Sequence, residues 1–192
     1  MTLTESAGHR VRNAAITRAT ILESARKRFA REGYDGASLR EIAADAGVDA
    51  ALISRYFGSK DELFSEVVML ACQPDPDLFG GDPATFGERM AKAALEGEQD
   101  GEKLDMFLIM LLSASSPKAS EIVRRCSRDQ FYQRFEEWLG GPDVDVRTRL
   151  SASLMMGMSL SRVIDDTKEF DAVRRAKLQD RLAAIIQLSI AP

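Results

Sequence analysis

Four side chains between positions 38 and 60 have the types and spacing to hold anions. Ser38 and Lys60 each stand where a helical stretch opens. There the first backbone N–H groups lack an intrahelical partner and the helix dipole favours negative charge. Lys60 adds a mobile cation and Tyr56 a hydroxyl donor. Arg55 is the one long cation in "DAALISRYF", and its fork of N–H groups suits a phosphate or the edge of a guanine. This is binding chemistry, in which no bond is made or broken.

Catalysis has no comparable set. His9 is the sole histidine and lies in a polar stretch before the first expected helix. HxxxH, CxxC, GxSxG and phosphate-cradling glycine loops do not occur. Asp165 and Asp166, followed by Lys168 and Glu169, read as a solvated helix terminus rather than an acid/base pair. Cys72 and Cys126 are far apart and read as reduced packing thiols in a cytoplasm. No enzymatic activity, cofactor or metal is expected.

The 192 residues suffice for one domain of ordinary core size or two small ones, and 45% hydrophobic with 29% charged residues is a globular composition. The opening "MTLTESAGHR" lacks an apolar core and cleavage site, so no secretory signal is expected. Met106 to Leu112, the longest apolar run, is too short to span a bilayer, and no membrane partner is expected. A net charge of −4 argues at first against a polyanionic partner. The charge is uneven, however. Arg10, Arg12, Arg18, Arg26, Lys27, Arg28 and Arg31 stand against Glu23 alone between positions 10 and 31, while acids lead from residue 71 onward, as in "EGEQDGE" and "IDDTKEFD". Binding depends on the local field, so the front end is expected to dock on phosphates.

Strand signals are nearly absent, and helical periodicity fills the chain. The first helix is expected from about Asn13 to Glu32, with Ile21, Leu22, Ala25 and Phe29 on one face and Gly33 closing it. Ser38 and Glu41 form a capping box for a helix over Leu39 to Ala46. Asp49 caps the next, Ala50 to Phe57, and Gly58, Ser59 and Glu62 punctuate the start of one running to about Ala71. Gly47 would cost a helix interior about 1 kcal/mol relative to Ala. Its place between two short capped helices marks instead a tight turn of positive φ, with Ala43 small enough for close approach and Val48 and Ile53 as the apolar plug. The pattern is a helix-turn-helix.

"QPDPDLFGGDPATF" (Gln73 to Phe86) reads as a linker, dividing the chain into residues 1–72 and 73–192. Five further helices are expected: Pro83 to Glu96; Glu102 to Ser115, apolar nearly all round and therefore buried on most sides; Pro117 to Leu139; Val144 to Asp166; and Phe170 to Ile190.

"TILESARKRFAREGYDGASLREIAADAGVDAALISRYFGSKDELF" resembles the DNA-binding region of the tetracycline-repressor (TetR) family of bacterial transcription regulators. The resemblance covers roughly residues 13 to 70 through "IL..A...F...G", "IA..AGV", the aromatic-Phe pair and "SK.EL". It implies an all-α homodimer with an N-terminal helix-turn-helix DNA-binding domain and a C-terminal helical ligand-binding and dimerisation domain. It places Ala50 to Arg55 on the recognition helix, and Ser38, Tyr56 and Lys60 where members commonly touch phosphates. The implied DNA-facing set is Ser38, Arg40, Asp49, Ala50, Ala51, Ser54, Arg55, Tyr56 and Lys60. Ser54 stands where the family often has tyrosine, and Asp49-Ala50-Ala51 offers few groups to base edges, so direct readout is expected to be modest and led by Arg55 and Ser54. Phe57 reads as a core aromatic.

In the second part Met106, Phe107, Met110, Phe131, Met155 and Met156 supply a soft apolar stock suited to a mainly apolar small molecule. Leu150, Leu154, Gly157 and Ser161, with Leu178, Leu182, Ile185 and Ile186, are the candidate dimer contacts; burial in one subunit's core is the competing account. The functional expectation is a cytoplasmic, ligand-responsive regulator, most simply a repressor, binding a double-stranded operator. The alternative is a small-molecule or lipid-binding helical protein whose head no longer reads DNA, as the sparse Asp49-Ala50-Ala51 opening allows.

Overall fold

A computed structural model describes residues 3–96, 101–164 and 170–192, with side chains over 13–95, 104–161 and 170–192. Among these residues ten α-helices follow one another and no strand occurs, the all-α class expected. No helix there is long and apolar enough to cross a membrane. The side chains of His9, Arg10 and Arg12, the acids around residues 96–102, and Asp165, Asp166, Lys168 and Glu169 lie outside the described residues.

The chain folds as two compact units. The first joins residues 1–71 to 105–126, and the second joins 72–104 to 127–192.

In the first unit, α1 (Leu3–Gly36) begins at Leu3 rather than near Asn13. Apolar periodicity starts only at about residue 13, but nothing before it breaks a helix except the lone Gly8. Regular geometry ends at Gly33, with φ of 68°. Helices α2 (Leu39–Ala46), α3 (Ala50–Phe57) and α4 (Lys60–Ala71) match the sequence boundaries because each is closed by a specific cap. Ile21, Ala25 and Phe29 of α1 are fully buried, as are Leu63, Phe64 and Val68 of α4. Phe29 and Tyr34 each meet the Phe64 ring edge-on at 4.9 Å. Burial of each of these Ile, Leu, Val and Phe side chains is worth about 1.5–3 kcal/mol.

Residues 105–126 join this unit through an Arg26–Asp105 ion pair, a Lys118–Asp61 pair at 2.6 Å, and Cys126 Sγ at 3.6 Å from Ser65 Oγ. Helix α6 (Gly101–Ser113) departs from expectation. Among its described side chains only Ile109 and Ser113 are buried, and Leu111 is 66% exposed. A run that is apolar on every side still presents one stripe to its neighbours; Leu104 and Leu108 are half-buried, and Leu111 and Leu112 face outward.

A second departure lies at Pro117 to Leu139, expected as one helix. Helix α7 (Pro117–Ser127) passes through a widened turn over Arg128–Tyr132 into α8 (Gln133–Leu139). The extra residue per turn shifts the helical phase, which a 3.6-residue pattern cannot register.

In the second unit a short turn at Pro83–Thr85 leads into α5 (Phe86–Glu96), and α9 (Val144–Ile164) and α10 (Ala172–Ile190) follow. Phe86, Ala91, Phe135, Leu182, Ile186 and Ile190 form the core. Helix α5 crosses α10 closely at Gly87, where a Cβ would strike the Ala183 carbonyl. Gln187 fastens the crossing, accepting from Gly87 N at 2.9 Å and donating to the Pro83 carbonyl at 3.0 Å. Phe79, Phe86, Phe131, Phe135 and Trp138 pack together with ring centroids 5.0–5.9 Å apart.

Candidate nucleic-acid interface

The turn between α2 and α3 is built by capping at both ends. Gly47 adopts φ 66° and ψ 32°, a left-handed conformation that closes α2 through bonds to the Ala43 and Ala44 carbonyls. Val48 N adds a bond to the Ala43 carbonyl at 3.0 Å. Asp49 Oδ1 then accepts from Ala51 N at 2.7 Å and starts α3. Ala43 and Ile53 are buried where the helices meet, and Val48 is half-buried. Two helices that bury these faces leave Ala51, Ser54 and Arg55 exposed on the outer side of α3.

Ser38 forms the expected reciprocal box. Glu41 N donates to Ser38 Oγ at 3.3 Å, and Ser38 N donates to Glu41 Oε2 at 3.1 Å. The hydroxyl also donates to Glu41 Oε2 at 2.6 Å. The Ser38 hydrogen bond holds the Glu41 carboxyl below the usual carboxylate range. Ser59 and Glu62 make half of this arrangement at α4: Glu62 N donates to Ser59 Oγ at 3.2 Å and the hydroxyl donates to Glu62 Oε2 at 3.0 Å, while Ser59 N bonds the Phe57 carbonyl. Both N-termini therefore already carry a carboxylate, and a phosphate arriving there competes with it.

The basic run of α1 corrects the sequence reading. Arg18 pairs with Glu66, Arg26 with Glu23 and Asp105, and Lys27 with Glu23. Arg28 pairs with Glu32 and Asp45, and Arg31 with Glu32. Acids remote in sequence (Asp45, Glu66, Asp105) reach back onto α1, so its described cations, Arg18 to Arg31, are not a free positive field. In residues 13–72 the cations that form no salt bridge among the described residues are Arg40, Arg55 and Lys60. All three lie on the helix-turn-helix or the N-terminus of α4.

Lys60 is placed by an aromatic group: its Nζ stands 4.5 Å from the centroid of the Tyr34 ring. The Tyr34 hydroxyl donates to Asp61, whose other oxygen holds the Lys118 ammonium. Lys118 first, then Tyr34, keeps the Asp61 carboxyl below its usual value, while burial first, then Asp61, pushes the Tyr34 hydroxyl up. Sequence reading missed this network. Its members come from three separated segments, and only Asp61, an acid in the first turn of a helix, carries a local signal.

Of the predicted DNA-facing set, Ser38, Arg40, Asp49, Ala51, Ser54 and Arg55 are exposed, and Ala50, Tyr56 and Lys60 are half-buried. Phe57 is buried. The other predicted sites are more scattered. Met106, Phe107 and Met110 are half-buried in the first unit. Phe131 and Met155 pack against the Phe86–Phe135 core of the second, whereas Met156 is 36% exposed and turned away from it. Leu150 and Ile185 are 52% and 51% exposed, Gly157 and Ser161 are exposed, and Leu154 and Leu178 are half-buried. Leu182 and Ile186 do not belong with them. At 5% and 1% exposure they fill the core of their own unit and have no surface left for a partner. Val146, Leu160 and Leu188, 60%, 38% and 75% exposed, extend the free apolar surface of α9 and α10.

Comparison with known proteins agrees with this geometry. Residues 84–190 match the family described as tetracyclin repressor-like, C-terminal domain, and residues 21–67 match bacterial regulatory proteins of the tetR family. Over 57 residues the chain is 44% identical to the HTH-type transcriptional repressor SCO4008 of Streptomyces coelicolor, covering 30% of each chain. Over 111 residues it is 31% identical to the HTH-type transcriptional repressor Rv3405c of Mycobacterium tuberculosis, covering 52% of this chain and 59% of that one. The chain thus spans less than two thirds of the length of these curated relatives. Among solved structures it is similar to NalD of Pseudomonas aeruginosa, the secondary repressor of the MexAB-OprM multidrug efflux pump, with a TM-score of 0.64 and 20% identity over 89% of this chain and 95% of that one.

Proposed function

Since the chain belongs to the tetracycline-repressor (TetR) family of bacterial transcription regulators, we propose that it is a cytoplasmic, sequence-specific DNA-binding regulator. In this reading it is a homodimer that represses from its operator and is released by a mainly apolar small molecule. Residues 1–72 carry the DNA-binding function, and 73–192 carry effector binding and dimerisation.

One observation carries the DNA-binding reading. The described cations of α1, from Arg18 to Arg31, are held in ion pairs, and those of residues 13–72 without a salt bridge, Arg40, Arg55 and Lys60, sit on the helix-turn-helix and the start of α4. Arg55 is exposed on α3, whose small neighbours Ala51 and Ser54 let the helix lie deep in a major groove. Arg40 and Lys60 flank it as phosphate contacts. The exposed leucines and isoleucine of α9 and α10 suit a twofold interface, which spaces two recognition helices about 34–36 Å apart for successive major grooves. An effector acts only through its different affinity for the operator-competent and incompetent states.

Fluorescence anisotropy on the DNA upstream of the chain's own reading frame tests the reading. The expected result is binding that survives excess non-specific competitor and is weakened about tenfold or more in Arg55→Ala. Sequence-indifferent binding, or none at low salt, would overturn it and favour a helical ligand-binding protein without a reading head.

A further inference from the structure

Arg89, on α5, has a guanidinium that the fold leaves half-used. Of its five N–H donors, those on Nη1 go to the backbone carbonyls of Asp77 and Leu78, at 3.0 and 3.3 Å. Nε and Nη2 are buried and have no hydrogen-bond partner. No carboxylate among the described residues pairs with the cation. Nε and Nη2 share the edge of a guanidinium that receives a carboxylate side-on with two parallel bonds. A desolvated cation with that edge unmet is costly unless a partner satisfies it.

The surroundings are shaped for the same purpose. A Cβ at Gly81 would lie 2.8 Å from Arg89 Cζ, 2.9 Å from Nε and 3.0 Å from Nη2, so the Gly81 backbone lies directly against the guanidinium. Trp138 Nε1 donates to the Gly81 carbonyl at 3.1 Å and pins that segment in place. The Phe86 ring centroid is 5.8 Å from Cζ, and Trp138 stands 5.2 Å from the Phe86 ring and 5.7 Å from that of Phe79. A single guanidinium among aromatic rings matches a monoanion on an apolar body.

We propose that Arg89 is an anion-receiving subsite of the effector site, and that the effector is an organic carboxylate whose two oxygens pair with Nε and Nη2 beneath residues 77–81. This narrows the mainly apolar effector of the regulator reading and rests on that reading. The apolar body lies against the half-buried Phe79 and Trp138, and the carboxylate neutralises the charge that the chain itself leaves unpaired. Binding disturbs the Trp138–Gly81 contact, which makes the sole tryptophan the reporter.

The test is a fluorescence titration of full-length protein, without DNA, by octanoate and phenylacetate, each beside its uncharged amide. Both acids are expected to give a saturable change in Trp138 emission and the amides none. Arg89→Met should abolish the response, and Arg89→Lys, which keeps the charge but loses the fork, should weaken it about tenfold or more. Far-ultraviolet circular dichroism of both variants establishes that they fold; should Arg89→Met unfold, Arg89→Lys alone carries the comparison. No saturable response to either acid, equal responses to acid and amide, or a folded Arg89 variant responding like the parent would each overturn the proposal. Failure here leaves operator binding untouched, and failure of the operator assay leaves this titration standing.

Discussion

The Asp61 carboxylate holds the Lys118 ammonium at 2.6 Å, joining the N-terminus of α4 to that of α7. Through its second oxygen Asp61 also receives the Tyr34 hydroxyl, and the Tyr34 ring in turn carries Lys60. One half-buried carboxylate of the first unit thus helps to set the position of a proposed phosphate contact.

That arrangement predicts an acid-sensitive element. The folded state lowers the Asp61 carboxyl below its ordinary value, chiefly through Lys118. The stabilisation is therefore present above the ordinary carboxylate value and is lost as pH falls through the folded one. Melting curves from pH 7 down to pH 3 should show Asp61→Asn less stable than the parent at neutral pH, with the gap closing as acid protonates the parent. The gap will be modest because the pair is partly solvated. A gap independent of pH would show that the carboxylate charge is not what matters.

Arg55 and Arg28 should separate cleanly by assay. Arg55 has no acid partner among the described residues, so Arg55→Ala should leave the melting temperature near that of the parent while costing about 1–3 kcal/mol of operator binding. Arg28 links α1 to Asp45 of α2 and to Glu32. Arg28→Ala should lower the melting temperature and leave the salt dependence of DNA binding unchanged. Anisotropy across a salt series, beside calorimetry, reads both.

Gly47 should be limited by backbone strain rather than space. A Cβ there meets nothing within 4 Å, but φ is +66°. Gly47→Ala should therefore cost about 1–2 kcal/mol, and Gly47→Asn less, since asparagine tolerates the left-handed region. Urea denaturation with unchanged slope is the measurement, and a neutral alanine would mean that the turn rearranges.

These positions show what a linear sequence discloses. Caps and turns are local: Ser38 with Glu41, Gly47, and Asp49 each act within four residues, so α2 and α3 were legible to the residue. Partnerships across the fold were not. Seven cations in "RVRNAAITRATILESARKRFAR" suggested a free basic surface, because nothing near them reveals that Asp45, Glu66 and Asp105 return to neutralise Arg28, Arg18 and Arg26. Apolar periodicity likewise marks which faces seek burial but not which neighbour covers them. Leu111 is exposed on the most apolar helix of the chain, and Leu182 and Ile185, three residues apart, face opposite fates. The widened turn at Arg128–Tyr132 leaves no compositional trace at all.

That last contrast on α10 yields the sharpest test of the dimer. Leu182 is 5% exposed and packs in the core with Phe86 and Phe135, whereas Ile185 is 51% exposed on the outer side of the same helix. Leu182→Ala should cost about 2–5 kcal/mol of unfolding free energy, because it opens a cavity among aromatic rings that cannot collapse onto it. Ile185→Glu should leave the monomer folded and place a charge in the proposed interface, where a twofold axis puts a second copy of the same charge nearby. Sedimentation equilibrium should then show a monomer with native circular dichroism and weakened operator binding, since one reading head loses the other. If Ile185→Glu sediments as a dimer of parental stability, the outer face of α10 is not the contact and the partner surface lies elsewhere on the molecule.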